Sequence, residues 1–268
     1  MKKIFVVFAF MTLMFSAKAQ SFYATCETGQ SMLFGVIDKT NNKVSIMGSG
    51  KEKPVGRVVL PSIVENNGQK YEVVEIKMHS FSGCSEMTSL TISKTITEIK
   101  PVAFDNCRNL EEIIVDAENP VYDSRDNCNA IIKTADNEFI YGCKSAFIPN
   151  TVVSIDWYAF RGSGLTSIII PESVKYISNQ AFYDCLITEL TIPSTVESIG
   201  YEPWSGEKVT ATLEGSELKL EAGTYYFFDE WDERGLADGV LFVPCGMRKT
   251  YENSKWSKYF PIREDCKE

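Results

Sequence analysis

The amino-acid sequence predicts a repeat solenoid: a right-handed stack of coils made mostly of short parallel strands and turns, with short helical segments and a cap at each end. Three observations predict it. Aromatic residues recur at a fixed period, with Phe81, Phe104, Phe160, Phe182 and Trp204 separated by 23, 56, 22 and 22 residues. Short alternating apolar runs keep step with them: Leu90-Thr-Ile92, Ala146-Phe-Ile148, Ile168-Ile-Ile170 and Leu190-Thr-Ile192, each followed by Ser93, Pro149, Pro171 or Pro193. Alternation stopped by a turn residue is the mark of a short strand. Finally, 268 residues at 44% apolar and 24% charged can bury a core and carry no collagen, coiled-coil or disorder signature. One strand and one turn cannot bury an apolar face alone, so units at this period must stack.

The elements follow in order. Residues 1–19 read as a secretory signal peptide. Lys2 and Lys3 precede an apolar run from Ile4 to Phe15, and Ala17-Lys18-Ala19 supplies a cleavage site. That run is too short for a membrane span, which needs about 20 residues. Residues 20–56 form an N-terminal β cap holding a hairpin, Met32 to Asp38 and Lys43 to Met47. Residues 57–207 carry the repeats. Ile76, Ile99, Ile155, Ile177 and Ile199 stand five residues before each aromatic. Ser80, Ala103, Ala159, Ala181 and Pro203 immediately precede it, and Cys84, Cys107, Ser163, Cys185 and Glu207 follow three residues later. The first unit is longer, as if Glu65 to Val73 were inserted.

The 56-residue interval is one period plus 34, so one coil carries an island near residues 116–143. Leu110, Ile113 and Val115 supply its strand. Ala130 to Lys133 and Glu138 to Tyr141, joined by Thr134 to Asn137, read as a hairpin. Residues 208–268 form a C-terminal repeat and cap, with segments Val209 to Leu220, Tyr225 to Phe228 and Val240 to Val243, and a short helix from Met247.

The pattern Ile-Pro-x-x-Val-x-x-Ile-x₄-Phe-x-x-Cys, clearest from Ile170-Pro-Glu-Ser-Val174 through Ile177 to Phe182 and Cys185, resembles the BspA-like leucine-rich repeats of bacterial surface antigens. The Asn119-Pro-x-Tyr-x-Ser island and the Val243-Pro-x-Gly ending with Tyr251, Trp256 and Phe260 resemble that family too. Trp204 with Pro203, and Ser163 and Glu207 in the cysteine column, depart from its pattern. The resemblance implies a leucine-rich-repeat superhelix, exported to a cell surface, the medium or the periplasm. It also implies an adhesion role through binding a host or bacterial surface protein. No catalytic residue comes with it.

Composition narrows the chemistry further. With 27 basic against 36 acidic residues, net −9, there is no broad phosphate-binding face, so nucleic acid is not an expected partner. The single histidine, His79, cannot build a multi-histidine metal site, and no Cys-x₂-Cys pair exists. His79 aligns with Val102, Tyr158 and Gln180 in a turn, which reads as a solvated position. Asp116, Glu118, Asp123 and Asp126 lack a calcium-loop spacing and read as a solvated acidic loop. No enzyme, cofactor or metal is expected.

Eight cysteines in an exported chain invite pairing. Cys84, Cys107 and Cys185 sit in a core column, where a free thiol acts as a small hydrophobe. Cys143 takes an apolar column position. Cys128 and Cys143 flank the island hairpin at matching distances from its turn and are one candidate bridge; Cys245 and Cys266, bracketing the C-terminal cap, are the other.

The candidate binding surface is the strand face turned away from the core. Val59, Thr91, Ile114, Phe147, Ile169 and Thr191 fall between the paired apolar positions, and stacked strands would set them in one row about 4.8 Å apart. Ile114, Phe147 and Ile169 would then form an apolar strip with a polar rim, a mark of partner sites. The turn aromatics Trp157, Tyr158 and Tyr201 are a second candidate. An extracellular glycan, stacked on Trp157, Tyr158 or the Tyr225 to Trp231 region, is the alternative ligand, and a hydrolase stands third.

Overall fold

The chain turns a corner wherever two left-handed residues flank a buried phenylalanine. Two residues before the ring, His79, Val102, Tyr158 and Gln180 have φ of 57°, 52°, 60° and 53°. Two residues after it, Gly83, Asn106, Gly162 and Asp184 have φ of 67°, 58°, 60° and 56°. The backbone reverses twice around each ring and closes with short bonds such as Ser82 N–H to His79 O and Cys84 N–H to Phe81 O. Successive corners are then stitched together: Phe81 N–H donates to Ala103 O at 2.8 Å and Phe160 N–H to Ala181 O at 2.7 Å. This computed structural model describes residues 21–187, 189–193, 195–200, 210–213, 219–220, 240–253, 257 and 262–266. The signal-peptide segment 1–19 lies outside them.

At the N-terminus β1 (Ser21–Thr25), β2 (Ser31–Asp38) and β3 (Lys43–Ser49) pair antiparallel; β4 (Gly56–Val59) follows. The insertion expected at Glu65 to Val73 is a hairpin, β5 (Ile63–Asn66) and β6 (Gln69–Ile76). Asn67 and Gly68, at φ 51° and 80°, make its two-residue turn, which needs positive φ at both positions. Next come β7 (Met87–Ile92), β8 (Glu98–Ile99) and β9 (Glu112–Val115). The island holds β10 (Tyr122–Asp123), a 3₁₀ turn at Arg125–Asn127, β11 (Ala130–Lys133) and β12 (Glu138–Gly142). Beyond it lie β13 (Ser154–Ile155), β14 (Tyr176–Ile177), β15 (Glu189–Ile192), β16 (Ser198–Ile199), β17 (Thr210–Leu213) and β18 (Lys219–Leu220). The C-terminal part has β19 (Val240–Pro244), α1 (Arg248–Glu252) and β20 (Ile262–Asp265).

Among the described residues these strands form four sheets. The first, β1-β2-β3-β6-β5 with β8 on β6, is mixed and nearly closes on itself, since β1 lies against β5 and Phe22 packs on Tyr71. Three parallel ladders carry the repeats: β4-β7-β9, then β12-β13-β14-β16-β18, then β15-β17-β19-β20. The second ladder consists mostly of two-residue strands ending on the isoleucine column, a set of strands the sequence pattern did not reveal. Conversely, Ala146 to Ile148 and Ile168 to Ile170, expected as strands, are not paired in any ladder. Their alternation buries Ala146, Ile148 and Ile170 without strand pairing. Among the described residues helix is limited to α1, the 3₁₀ turn at Arg125–Asn127 and a 3₁₀ residue at Ser257, and no helix there is long and apolar enough to cross a membrane.

The core is two clusters, and the island hairpin is the wall between them. Ile131 and Tyr141 face the first cluster, which runs from Phe22 to Cys143. Ala130, Ile132 and Phe139 face the second, which runs from Cys128 to Ile262. Each cluster has an aromatic column. Phe81 stacks on Phe104 at 5.5 Å, and Phe104 meets Tyr141 at 5.3 Å. On the other side Phe139, Phe160 and Phe182 stack at 4.8 and 5.2 Å. The hairpin thus supplies the missing ring to both columns. Gly142 permits this, because a Cβ there would lie 2.6 Å from the Phe160 ring. Full burial of each ring contributes about 2–3 kcal/mol.

The same hairpin excludes one candidate disulfide. Register runs Lys133↔Glu138 and Ile132↔Phe139, then shifts so that Ile131 faces Tyr141 and Ala130 faces Gly142. The bulge at Ile140 moves Cys143 opposite Asn129, to which its N–H donates at 3.3 Å, instead of opposite Cys128. A one-residue slip sends the two thiols to opposite faces. Cys128 and Cys143 are accordingly free and buried in different clusters. Cys245 and Cys266, in contrast, are joined. Closing that loop stabilises by about 3 kcal/mol in the chain-entropy account. Cys266→Ser should therefore lower stability by about that amount, and a change below 1 kcal/mol in urea titration would show the unbridged cap to be already constrained.

Candidate functional site

The strand face begins as a regular row. Val59 pairs with Thr91 and Thr91 with Ile114, so three outward side chains stand at adjacent ladder positions. Thr91 is half-buried and its hydroxyl has no hydrogen-bond partner. Ile114 is 41% exposed. Beside them Ser89 donates to the Glu112 carboxylate at 2.6 Å, fixing a polar rim.

The row does not continue as expected. Phe147 N–H donates to Cys128 O of the island at 3.1 Å rather than to β9, although Lys144 N–H still reaches Leu110 O. The island chain therefore comes between Ile114 and Phe147, which are not ladder neighbours. Phe147 is 44% exposed and Ile169 is 86% exposed, the most open large apolar side chain described. Thr191 lies in β15 paired with Thr212; its side chain is outside the described set. The face is thus two apolar patches flanking a seam.

The corner ridge brings together Trp157, Tyr158 and residues that the sequence pattern missed. Trp157 is 52% exposed, and its backbone N–H donates to Asp156 Oδ1 at 2.7 Å. Desolvation raises the Asp156 pKa despite that bond. Arg161 lies over the rings of both Tyr158 (5.1 Å) and Tyr183 (5.3 Å), with its Nε 3.4 Å from Asp105. Arg161 and Tyr183 share the position just after the phenylalanine, a column with no common residue type. His79 occupies its column for backbone reasons and is exposed.

The acidic island residues do not converge. Asp116 accepts from Glu118 N–H, and Glu118 pairs with Lys94. Burial works to raise the Asp123 pKa, but hydrogen bonds from Arg125 and Thr134 outweigh it and hold the carboxyl below its ordinary value. The core thiols are similarly occupied. Cys107 and Cys185 donate to Phe81 O and Phe160 O at 3.2 and 3.0 Å, and burial pushes Cys185 up to about 12. Thiols held protonated in this way are packing groups, poor as nucleophiles. Tyr201, Trp204 and the Tyr225 to Trp231 region lie outside the described residues.

A family model for the BspA type leucine rich repeat region matches in six copies, over residues 64–129 and 133–228. Among solved structures, a leucine rich cell surface protein of Faecalibacterium prausnitzii A2-165 is 22% identical, with a TM-score of 0.42, covering 75% of this chain and 57% of that one. This chain therefore spans little more than half of that relative. A leucine-rich repeat protein of Bacteroides ovatus ATCC 8483 is 16% identical, with a TM-score of 0.34 and coverage of 91% and 75%. The pneumococcal vaccine antigen PcpA is 12% identical, with a TM-score of 0.34 and coverage of 92% and 99%. No curated protein matches the chain.

Proposed function

The chain belongs to the BspA-type leucine-rich-repeat family, and from that premise we propose an exported interaction or adhesion protein that binds an extracellular or cell-surface protein through its repeat surface. A repeat family of this kind suggests protein binding, and no catalytic family is indicated. In this reading residues 57–207 wind as a right-handed solenoid with caps at 20–56 and 208–268, and residues 1–19 direct export. Paired strands hold Thr91 and Ile114, and the bond from Phe147 N–H to Cys128 O fixes Phe147 outside the ladders, so a partner meets a surface whose ordering cost is largely met.

The observation that carries the reading is the exposure of Ile114 on one side of the island seam and of Phe147 and Ile169 on the other. Three large apolar side chains turned to solvent from a well-packed scaffold are what a partner's apolar residues would cover. Binding of residues 20–268 to a panel of purified extracellular proteins, followed by biolayer interferometry, tests it. The Phe147→Ser, Ile169→Asp double variant should bind the partner roughly 10- to 30-fold more weakly with an unchanged unfolding midpoint. Full affinity in the folded double variant would move the site elsewhere.

A further inference from the structure

The island that splits the core also leaves a notch in the corner ridge. Between the corner at 101–103 and the corner at 157–159 the hairpin passes at Ile140 and Tyr141 with no corner of its own. The resulting cleft is walled by Pro101, Val102, Ile140, Tyr141 and Trp157, with Asp156 and Lys100 as its charged groups. Those two charges are not equivalent. Lys100 is already held by Glu98 and lies 3.8 Å from Glu75. Asp156 uses one oxygen for the Trp157 N–H, and no ion pair among the described residues reaches it. Glu138 lies on the neighbouring strand, in register with Ser154, and is likewise in no described ion pair. The two carboxylates are close enough that the Asp156 charge adds to burial in raising the Glu138 pKa. Lys133, the base near both, is bound to Asp136.

We propose that this notch receives a lysine or arginine side chain from a protein partner, its methylene stem against Val102 and Ile140 and its charged head between the Trp157 indole and the Asp156 carboxylate, with the Glu138 charge on the adjoining strand outside the notch. Each part of the notch suits one part of such a side chain. Apolar walls cover a methylene stem, an exposed indole face attracts a cation, and the Asp156 carboxylate, in no described ion pair, supplies the charge complement. A purely apolar side chain would bury Asp156 further with no partner, which is costly. An acidic one would face Asp156 with Lys100 already engaged. The site goes beyond the strand-face reading, lies on a different ladder and is tested separately from it.

The test uses the chain labelled with 5-fluorotryptophan, reading the ¹⁹F resonance of Trp157. The probes are acetyl-(Gly-Lys)₃-amide, its norleucine and glutamate counterparts, and maltohexaose. The lysine peptide should shift the resonance, and Asp156→Asn should weaken that binding by about tenfold. Asparagine keeps an oxygen for the Trp157 N–H, so the fold is retained, as thermal unfolding would verify. Glu172→Gln, an exposed change of equal charge away from the notch, should leave the affinity unchanged. So should Ile169→Asp, whatever becomes of the strand face. Equal binding of the norleucine peptide, a shift with the glutamate peptide or maltohexaose in its place, equal losses in Asp156→Asn and Glu172→Gln, or no shift with any probe would overturn the proposal.

Discussion

Phe160→Ala should lower the free energy of unfolding by about 3–5 kcal/mol, the range for truncating a fully buried aromatic ring. The upper half of that range is expected. Phe160 is completely buried and stacked on both sides, by Phe139 at 4.8 Å and Phe182 at 5.2 Å. Each ring pair adds about 0.5–1.5 kcal/mol beyond area burial. Gly142 packs against the ring edge on the hairpin and cannot move in to fill the space without breaking the bond from its N–H to Ala159 O. A cavity that cannot collapse costs more than one that can. Urea denaturation followed by circular dichroism measures the change. A loss below about 1.5 kcal/mol would mean that the column is not the spine of the second cluster.

Asn119→Ala should cost about 2–4 kcal/mol, from hydrogen bonding alone. The side-chain amide donates to Ser93 O and Ile96 O, each at 2.9 Å, tying the island to the preceding coil. Its oxygen accepts from the N–H groups of Val121 and Tyr122 at 2.9 and 2.8 Å, turning the chain into the island. Tyr122 then extends the tie, since its hydroxyl accepts from Ile99 N–H at 3.1 Å. No alanine rotamer replaces any of these bonds. Limited proteolysis should show earlier cleavage between residues 116 and 130 in the variant. A wild-type unfolding midpoint and cleavage pattern would show that backbone packing alone holds the island.

The sequence makes the corners legible and leaves the pairing between coils hard to see. Phe104, Phe160 and Phe182 stand out because one buried ring per coil must recur at the coil length. The isoleucine column is just as regular, yet its strands are often two residues long, and two residues cannot display an alternation. At Ile168 to Ile170 the error ran the other way, because an apolar run records burial and does not by itself report a hydrogen-bonded neighbour. The bulge at Ile140 was invisible for another reason: equal distances from a turn imply facing residues only when register is unbroken.

The candidate site divides along the same line. Trp157 and Tyr158 could be picked out as turn aromatics because the repeat made their turn visible. Arg161 and Tyr183 could not, since the position after the phenylalanine is constrained in direction and not in chemistry. His79, Val102, Tyr158 and Gln180 share no side-chain property because what they share is a positive φ. That constraint is severe for Val102, whose β-branched side chain resists the left-handed region. Asp156 escaped notice because a lone acid beside an aromatic means little until the notch brings Val102 and Ile140 alongside it.

The division of the interior by one hairpin has a consequence for how such a chain can change over evolutionary time. Side chains on the two faces of the wall do not compete for the same space, so a repacking in the N-terminal part is not transmitted to Phe160 or Phe182. Coils on the far side can be duplicated or lost in whole units, as nearest-neighbour stacking permits, while the near side keeps its ring count and its register. The wall itself is the part that cannot drift, because Tyr141 and Phe139, two residues apart, must each satisfy a different interior.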